Sequence, residues 1–487
     1  ASLCGASLLF LHWVFGPYND SLLIATISYG TLLFFIYFIT SLLNFVYRDR
    51  DYKGIDGILL YGIPTAYFIL MLTIVHGRDD VALLAAAIGV FYIILSFVIR
   101  AGWSQLGELR RFSNAMLCIA SPFIAGATAL HFEGSTITIV WAIEALVMVL
   151  IGYVLQTPSN RIAGIVLSAL VGVRVLTELR LPIGAEPIFN SRTALLVLVA
   201  AMYFLIWKIY TGFASRLEGA KPDELTCGRV MPAIGLYIAL FLLVTLEASD
   251  FITDSGRYFA IIWMILSVIL LSAGTFAKEK VFRILSLVLF FFSILTAFTY
   301  QGGGYDSRMV FFNISIGTAL LTALICTYIV WLMKVQGEVF SAEERRLSAP
   351  LILATNALIL WTFSLEITTY FNQQMKAGGD YRSIENIKRV ALSGFWLVYA
   401  LAGLAVGIFR KSTLVRYASI ILFAVTIFKI FLYDTANLSD VYRFISFISL
   451  GVILLIAGFA YHKFKHRILE FVGGGDKQGL PPRAPMV

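Results

Sequence analysis

The chain has 487 residues, of which 59% are hydrophobic and only 14% charged, and its 37 Lys and Arg against 29 Asp and Glu give a net charge of +8. Soluble domains hold about 45–50% apolar and about 25% charged residues. The composition therefore excludes an ordinary soluble protein of two or three domains and predicts a polytopic membrane protein. No Lys/Arg-rich run of the kind that binds phosphate is present, so we expect no nucleic-acid partner.

Long apolar runs predict the membrane-spanning helices, because a hydrocarbon core of about 30 Å needs about 20 residues of helix. The sequence predicts an all-α integral membrane fold of about sixteen such helices. In chain order they lie at 1–16, 21–47, 56–76, 81–100, 113–131, 136–155, 160–178, 191–213, 230–247, 257–276, 281–300, 309–334, 349–368, 389–409, 413–433 and 441–462. The start at Ala1 rather than Met indicates a processed or truncated N-terminus, and residues 468–487 are predicted to be a disordered tail.

Basic residues are divided unevenly between the two sides of this predicted topology. The loops reached after an even number of helices, together with the C-terminal segment, hold 25 of the 37 basic residues, and the opposite loops hold 10. The positive-inside rule then places both ends of the chain in the cytoplasm. The opposite loops are short, and the longest surrounds Gln373–Glu385, so the sequence predicts no soluble domain.

An internal repeat runs through most of the chain. A Trp, a Gly eleven residues later and an Arg nine residues after that recur three times: Trp141, Gly152 and Arg161; Trp263, Gly274 and Arg283; Trp396, Gly407 and Arg416. The spacing predicts parallel repeats of four helices, over 113–229, 230–348 and 349–467, with 1–112 as a weaker copy. Arg174 and Lys429 each follow the repeat Arg by thirteen residues, whereas the middle copy has Thr296 there.

Two stretches carry a resemblance to a known family. The first contains Trp141 and Glu144, and the second contains Lys429, Phe431, Leu432 and Asp434, followed by Arg443 and Tyr461. These positions resemble a bacterial multi-pass membrane family known only as domain-of-unknown-function family 2339, over most of residues 55–465. The resemblance implies a bacterial inner-membrane location and implies no activity.

Motifs that would indicate an enzyme are missing from the sequence. There is no HExxH, GxSxG, Walker or GxGxxG pattern, so the sequence predicts no catalytic residues and favours a protein that is not an enzyme. The five histidines are far apart, and the four cysteines form no CxxC. We therefore expect no metal site and no cofactor.

A few charged residues lie within the predicted helices, where each costs about 2.5–3.5 kcal/mol on insertion scales. The functional hypothesis is a substrate or proton site built from Glu144 with Arg174, and a second built from Lys429 with Asp434. The alternative is that paired charges hold helices together or that long basic side chains reach outward to the interface.

A series of arginines begins helices on the side that the positive-inside rule disfavours: Arg78, Arg192, Arg308 and Arg443. A helix N-terminus already carries partial positive charge, which disfavours an arginine there. We therefore expect an anionic partner for each of these arginines. The partner is either a ligand or a carboxylate such as Glu247 or Glu366. The ligand hypothesis predicts one outward-opening cavity. It is faced by Arg192, Arg308 and Arg443, with Arg174 and Lys429 behind them.

These observations support three functional hypotheses. The first is transport or flipping of an anionic envelope component, either a lipid or a lipid-linked glycan, with membrane lipids as partners. The second is a non-catalytic scaffold that holds membrane-protein partners of envelope assembly. The third is a membrane transferase that uses Glu144 or Asp434.

Overall fold

The computed structural model describes residues 23–47, 55–74, 77–103, 107–178, 190–217, 219–252, 255–300, 309–432 and the single residue 448. Every regular element in these ranges is helical, which confirms the predicted all-α class. The chain divides into two compact units, Ala1–Thr253 and Asp254–Val487. The four predicted repeat units and the tail over 468–487 stay predictions, and the tail lies outside the described residues.

Eight long helices make up the described part of the first unit. They are α1 (Leu23–Tyr47), α2 (Ile55–Ile74), α3 (Arg78–Trp103), α4 (Gly107–His131), α5 (Ser135–Val154), α6 (Pro158–Glu178), α7 (Ser191–Gly212) and α8 (Pro222–Phe251). Asn190 caps α7 by accepting a hydrogen bond from the Thr193 amide at 2.8 Å. A cluster of buried aromatic and aliphatic side chains, including Phe38, Tyr92 and Met116, joins α1, α3 and α4.

The second unit continues with helices of the same kind. They are α9 (Ser255–Phe276), α10 (Lys280–Tyr300), α11 (Ile314–Val335), the short α12 (Ala342–Arg346), α13 (Ser348–Lys376), α14 (Tyr381–Phe409) and α15 (Thr413–Leu432). Asn313 caps α11, and Ser341 and Glu344 form a capping box at α12. The hydrophobic core of the second unit includes Met264, Phe290 and Leu358.

Twelve helices in the described part are long and apolar enough to cross a membrane. Two shorter apolar stretches, Ile24–Thr40 and Gly62–Leu72, coincide with the second and third predicted spans. The first and last predicted spans, 1–16 and 441–462, lie outside the described residues. The chain is therefore a multi-pass membrane protein with many apolar helices, and the count of sixteen stays a prediction.

Several helices extend well beyond the apolar runs that predicted them. The run 230–247 lies inside α8, and the predicted loop around Gln373–Glu385 is mostly helical, because α13 continues to Lys376 and α14 begins at Tyr381. Asp380 caps α14 by accepting a hydrogen bond from the Ser383 amide. Apolar residues mark the part of a helix suited to lipid, whereas backbone hydrogen bonding and caps decide where the helix ends.

Candidate functional site

The repeated Gly and Arg lie on either side of three hairpin turns with the same backbone structure. The first turn (Leu155–Thr157) joins α5 to α6, the second (Ala277–Glu279) joins α9 to α10, and the third (Arg410–Ser412) joins α14 to α15. Each glycine carbonyl accepts the amide five residues later, at 2.8, 2.8 and 2.9 Å. The residue before that amide has a positive φ in all three turns, with values of 56° at Gln156, 57° at Lys278 and 53° at Lys411. This is the Schellman geometry that ends a helix.

The glycine lets the arginine of the next helix pass close to the turn. A Cβ added at Gly152 would lie 2.5 Å from Arg161 Cγ, and one at Gly407 would lie 2.7 Å from Arg416 Cγ. In the first two turns the glycine carbonyl also accepts from the arginine Nη1, in both cases at 3.3 Å. The nine-residue spacing in the sequence therefore reflects closure of a helical hairpin.

A buried carboxylate completes the first two turns. Arg161 Nε lies 2.6 Å from Glu224 Oε1, and Arg283 Nε lies 2.8 Å from Glu344 Oε1. In each pair the arginine Nη2 also donates to the glutamate Oε2, at 3.4 Å in the first pair and 3.3 Å in the second. The side chains are only 0% and 3% exposed in the first pair and 4% and 0% in the second. Glu224 and Glu344 were missed by the sequence analysis. Their signal was available, because they follow their arginines by 63 and 61 residues.

The third turn has the same backbone and a different environment for its arginine. Arg416 is partly exposed, and its partner among the described residues is the Thr413 hydroxyl at 3.3 Å. The neighbouring Arg410 and Lys411 are exposed. This turn is therefore the basic member of the three.

Arg174 and Lys429 lie at the far end of their hairpins and contact the repeated tryptophans. Arg174 Cζ lies 5.8 Å from the centre of the Trp141 ring, and Lys429 Nζ lies 5.8 Å from that of Trp396, within the range of a cation–π contact. Lys429 also donates to the Ser393 hydroxyl. In the middle hairpin, where Thr296 replaces the cation, Trp263 stacks on Phe259 instead.

Each described charge in the proposed site has a partner of its own. Arg174 Nε lies 3.2 Å from Glu178 Oε1, and its Nη2 donates to the Gly134 carbonyl at 3.2 Å. Glu144 accepts from Ser121 at 3.0 Å. The carboxylate that contacts Arg174 is therefore Glu178, one helical turn later in α6, and the hypothesis of a site built from Glu144 with Arg174 stays a prediction.

The described arginines at the disfavoured helix ends bind carboxylates at or just beyond the end of the following helix. Arg78 Nη1 lies 3.0 Å from Oε1 of Glu133, which is exposed and follows the end of α4 by two residues. Arg192 is buried, pairs with Asp250, and lies 3.8 Å from Glu247. These contacts match the carboxylate alternative.

The equivalent position in the second unit is described only in part. Glu366 accepts from the Phe311 amide at 2.9 Å, just before α11. Three of the predicted site residues lie outside the described residues: Arg308, Asp434 and Arg443. The predicted pair of Lys429 with Asp434 therefore stays a prediction. The shared outward-opening cavity therefore stays a prediction.

An apolar cleft lies between α6, α7 and α8 and has a volume of about 260 Å³. Its floor consists of buried residues such as Val199 and Tyr203, whose hydroxyl donates to the Ser168 carbonyl at 2.7 Å. Exposed apolar side chains form its mouth: Val173, Leu176, Met231 and Ile238. The cleft therefore opens on the surface that faces away from the protein core.

Glycines that leave room for Tyr203 help to form this cleft, which no sequence pattern had indicated. A Cβ at Gly172 would lie 2.6 Å from the Tyr203 hydroxyl, so this glycine leaves room for the tyrosine beneath the cleft. The useful signal would have been Gly172 and Gly235 on the two helices that flank Tyr203. In the described part of the chain, no three His, Cys, Asp or Glu side chains are grouped closely enough to hold a metal ion.

Comparison with known proteins identifies the family and leaves the activity open. The chain matches no curated protein and no solved structure. A family described as "Predicted membrane protein (DUF2339)" matches residues 2–464, which is nearly the whole chain. The chain belongs to this family of predicted multi-pass membrane proteins.

Proposed function

We propose that the protein binds an anionic envelope lipid, or the lipid portion of a lipid-linked glycan, and moves it across the membrane. The observation that carries this proposal is the apolar cleft between α6, α7 and α8. Ligand sites are concave and mostly apolar, and the space beside a spanning helix is filled by lipid chains. An acyl chain is therefore the occupant that this cleft favours.

Charge near the cleft supports an anionic ligand. Arg174 follows the cleft residue Val173 in α6, although it does not line the cleft, and its side chain contacts Trp141 of α5 and keeps 28% of its surface exposed. Guanidinium groups bind phosphate or carboxylate through two hydrogen bonds, so the exposed part of Arg174 is the contact that we propose for the headgroup of a lipid beside α6. The ion pair with Glu178 would then be the resting contact that the headgroup replaces.

A non-catalytic scaffold is the second candidate, and it has its own supporting observation. The Arg161–Glu224 and Arg283–Glu344 pairs are buried and satisfied within the protein, as expected where charges fix helices in place. A scaffold of this kind would hold other membrane proteins of envelope assembly. The transferase hypothesis has weaker support, because Glu144 accepts from Ser121 and lies beside no other described charge.

The orientation and repeat organisation belong to the same proposal. We infer sixteen spans in parallel four-helix repeats, in a bacterial inner membrane, with both ends of the chain in the cytoplasm. The three matching hairpin turns support duplication of a hairpin unit, and the basic asymmetry of the loops supports the orientation.

Transbilayer movement of lipid in proteoliposomes tests the function. Purified protein is reconstituted with a fluorescent anionic phospholipid or its zwitterionic counterpart, and exposure to an added quencher is followed over time. A matched pair of variants isolates the cleft. Val173→Phe fills its mouth, whereas Val166→Phe makes the same change at an exposed α6 position outside it.

We expect the wild-type protein to move the anionic lipid faster than protein-free vesicles do. Val173→Phe should reduce this rate several-fold, Val166→Phe should preserve it, and Arg174→Gln should reduce the preference for the anionic lipid. Equal rates with and without protein would contradict the proposed transport. Co-purification of a membrane protein in fixed proportion, together with absent lipid movement, would favour the scaffold.

A further inference from the structure

A glutamate and a serine meet at the middle of two neighbouring spans. Glu144 is the only charged residue of α5, which is a span of 20 residues from Ser135 to Val154. At the helical rise of about 1.5 Å per residue, Glu144 lies about 14 Å from one end of α5 and about 15 Å from the other. Ser121 has the same place in α4, because it is the tenth residue of the span Phe112–His131. Both side chains therefore lie near the centre of a hydrocarbon core of about 30 Å.

Only one oxygen of the Glu144 carboxyl group has a partner in the described part of the chain. Ser121 Oγ donates to Glu144 Oε1 at 3.0 Å. Oε2 is buried and has no hydrogen-bond partner among the described residues. Glu224 and Glu344, by contrast, each bind an arginine through both oxygens. Glu144 thus has one neutral donor, whereas those two glutamates have a cation.

The cations near α5 have contacts elsewhere. The main neighbours of α5 are α4, α6 and α7. The span of α4 contains no lysine or arginine. In α6 and α7, every cation contacts another carboxylate or an aromatic ring: Arg161, Arg174, Arg192 and Lys208. The other titratable side chains of these three helices also have contacts of their own: Cys118, His131, Glu178, Tyr203 and Tyr210.

Burial without a cation favours the neutral form of this carboxyl group. An ionised carboxylate at the centre of a span would be separated from water without a counter-charge, whereas the neutral acid is far easier to bury. The neutral acid also fits the contacts, because Ser121 donates to the carbonyl oxygen Oε1 and Oε2 carries the hydrogen. We propose that Glu144 is a proton-binding site at the centre of the membrane and that Ser121 positions its carboxyl group.

A proton fits this site better than a metal ion does. Hard cations such as Ca²⁺ take six or more oxygen ligands. Glu144 and Ser121 offer three oxygens between them, and in the described part of the chain no group of three His, Cys, Asp or Glu side chains could complete a metal site. The amine of a zwitterionic lipid is the remaining alternative, and it would keep Glu144 ionised.

The helix beside Glu144 is interrupted at the level of the site. Pro122 follows Ser121 within α4 and has no backbone N–H to donate to the hydrogen-bond ladder of the helix. Water satisfies backbone groups near such prolines in spanning helices. Exchange with water supplies and removes the proton, so the site needs no other reactant. Proton binding at Glu144 does not depend on whether the protein moves lipid.

Infrared spectroscopy of the full chain in lipid vesicles tests the proposal, because a protonated carboxyl group has its own C=O stretching band. Glu144→Gln removes the carboxyl group. Glu343→Gln is the matched control, at a glutamate whose side chain is 78% exposed. Ser121→Ala removes only the hydrogen bond to Oε1.

We expect the wild-type protein at neutral pH to have a protonated-carboxyl band that disappears in Glu144→Gln and stays in Glu343→Gln. Ser121→Ala should move this band to higher frequency, because the carbonyl oxygen loses a hydrogen bond, and should keep its area. If Glu144→Gln removes only ionised-carboxylate bands, Glu144 is ionised, as a lipid amine would make it, and the proposal is overturned. A band that Ser121→Ala leaves unmoved would exclude Ser121 as the positioning residue.

Labelling with a hydrophobic carbodiimide covers the case in which Glu144→Gln does not fold. The reagent adds the O–H of a protonated carboxyl group across one of its C=N bonds, and the acylurea that results is mapped by mass spectrometry in the otherwise native chain. We expect labelling to be several-fold stronger at Glu144 than at Glu178, which lies in the neighbouring span and pairs with Arg174. Labelling that is absent at Glu144, or no stronger there than at Glu178, would contradict the proposal.

Discussion

The hairpin turns and the opposite helix ends use arginine in two different ways. At the first two turns, Arg161 and Arg283 are buried and bind one glutamate each through two nitrogen atoms. At the opposite ends, Arg78 is 54% exposed and its partner Glu133 is 82% exposed, whereas Arg192 is buried beside Asp250. The turns repeat one geometry, and the opposite ends do not.

This difference separates structural charge from charge that a ligand can reach. A buried arginine with two carboxylate contacts and a backbone carbonyl has no surface left for another anion, so its role is to fix the hairpin. A partly exposed arginine such as Arg174 or Arg78 keeps access to solvent or to a headgroup. The effect of mutations should therefore follow burial and partner geometry rather than position in the repeat.

The largest expected effect is loss of a turn carboxylate. Glu224→Ala leaves the buried Arg161 without its carboxylate, which should lower the free energy of unfolding by about 3–5 kcal/mol. Thermal unfolding in detergent micelles measures the change, and Asp223→Ala, at the adjacent exposed residue, is the matched control. Replacing both partners, as in Arg161→Met with Glu224→Met, should cost less than Glu224→Ala alone. Equal stability of the Glu224 and Asp223 variants would show that the pair has no structural role.

Closure of the turn is the next target. Gly152→Ala places a methyl group 2.5 Å from Arg161 Cγ and 2.7 Å from its backbone nitrogen. Overpacking of this kind should lower the free energy of unfolding by about 1–3 kcal/mol. Gly126→Ala in α4, where nothing lies within 4 Å of the added methyl, is the control and should have little effect in the same unfolding measurement. A Gly152 variant as stable as the control would mean that the turn relaxes freely.

The buried pair at the opposite end should have a comparable or smaller effect. Arg192→Gln removes the cation beside Asp250 and Glu247, and the loss of this ion pair in a buried position should lower the free energy of unfolding by about 1–3 kcal/mol. The rate of lipid movement per folded protein should stay at the wild-type value, because any loss of activity should come from the smaller folded fraction. If the variant instead keeps wild-type stability and loses lipid movement, then Arg192 contacts the ligand and the outward-opening cavity of arginines gains support.

The smallest effect is expected at the exposed pair. Arg78→Gln breaks the contact with Glu133, and exposed ion pairs contribute only about 0–1 kcal/mol because water and salt screen them. Unfolding at low and high salt measures this contribution, which should disappear at high salt. A loss as large as that of Arg192→Gln would show that exposure does not control the strength of these pairs.

Much of the fold could be predicted from residue type and spacing alone. Apolar length predicted the helices, and the Gly-to-Arg spacing of the repeat predicted a recurring element before the hairpin was known. The partners of the arginines were harder to predict, because Glu224 and Glu344 lie two helices away from Arg161 and Arg283, and a pairing over that distance depends on packing. Some helices were also predicted to be shorter than they are, as α8 and α14 show, because polar residues continue the helix outside the apolar run.

The cleft could not be predicted, because a cleft is a property of what neighbouring side chains leave unfilled. Tyr203 resembles any aromatic residue of an apolar helix in the sequence, and only its position between Gly172 and Gly235 makes it the floor of a cavity. Its mouth residues also resemble ordinary lipid-facing positions. The central claim therefore depends on structure more than on any motif.

Photo-cross-linking with an anionic phospholipid that carries a diazirine on its acyl chain tests this claim most directly. Reconstituted protein is irradiated, and the labelled residues are mapped by mass spectrometry. We expect labelling to concentrate on the cleft residues of α6 and α8, including Val173, Met231 and Ile238, and we expect Val173→Phe to reduce it while Val166→Phe does not. Labelling spread evenly over the exposed apolar residues of the described helices, and unchanged by Val173→Phe, would contradict the account.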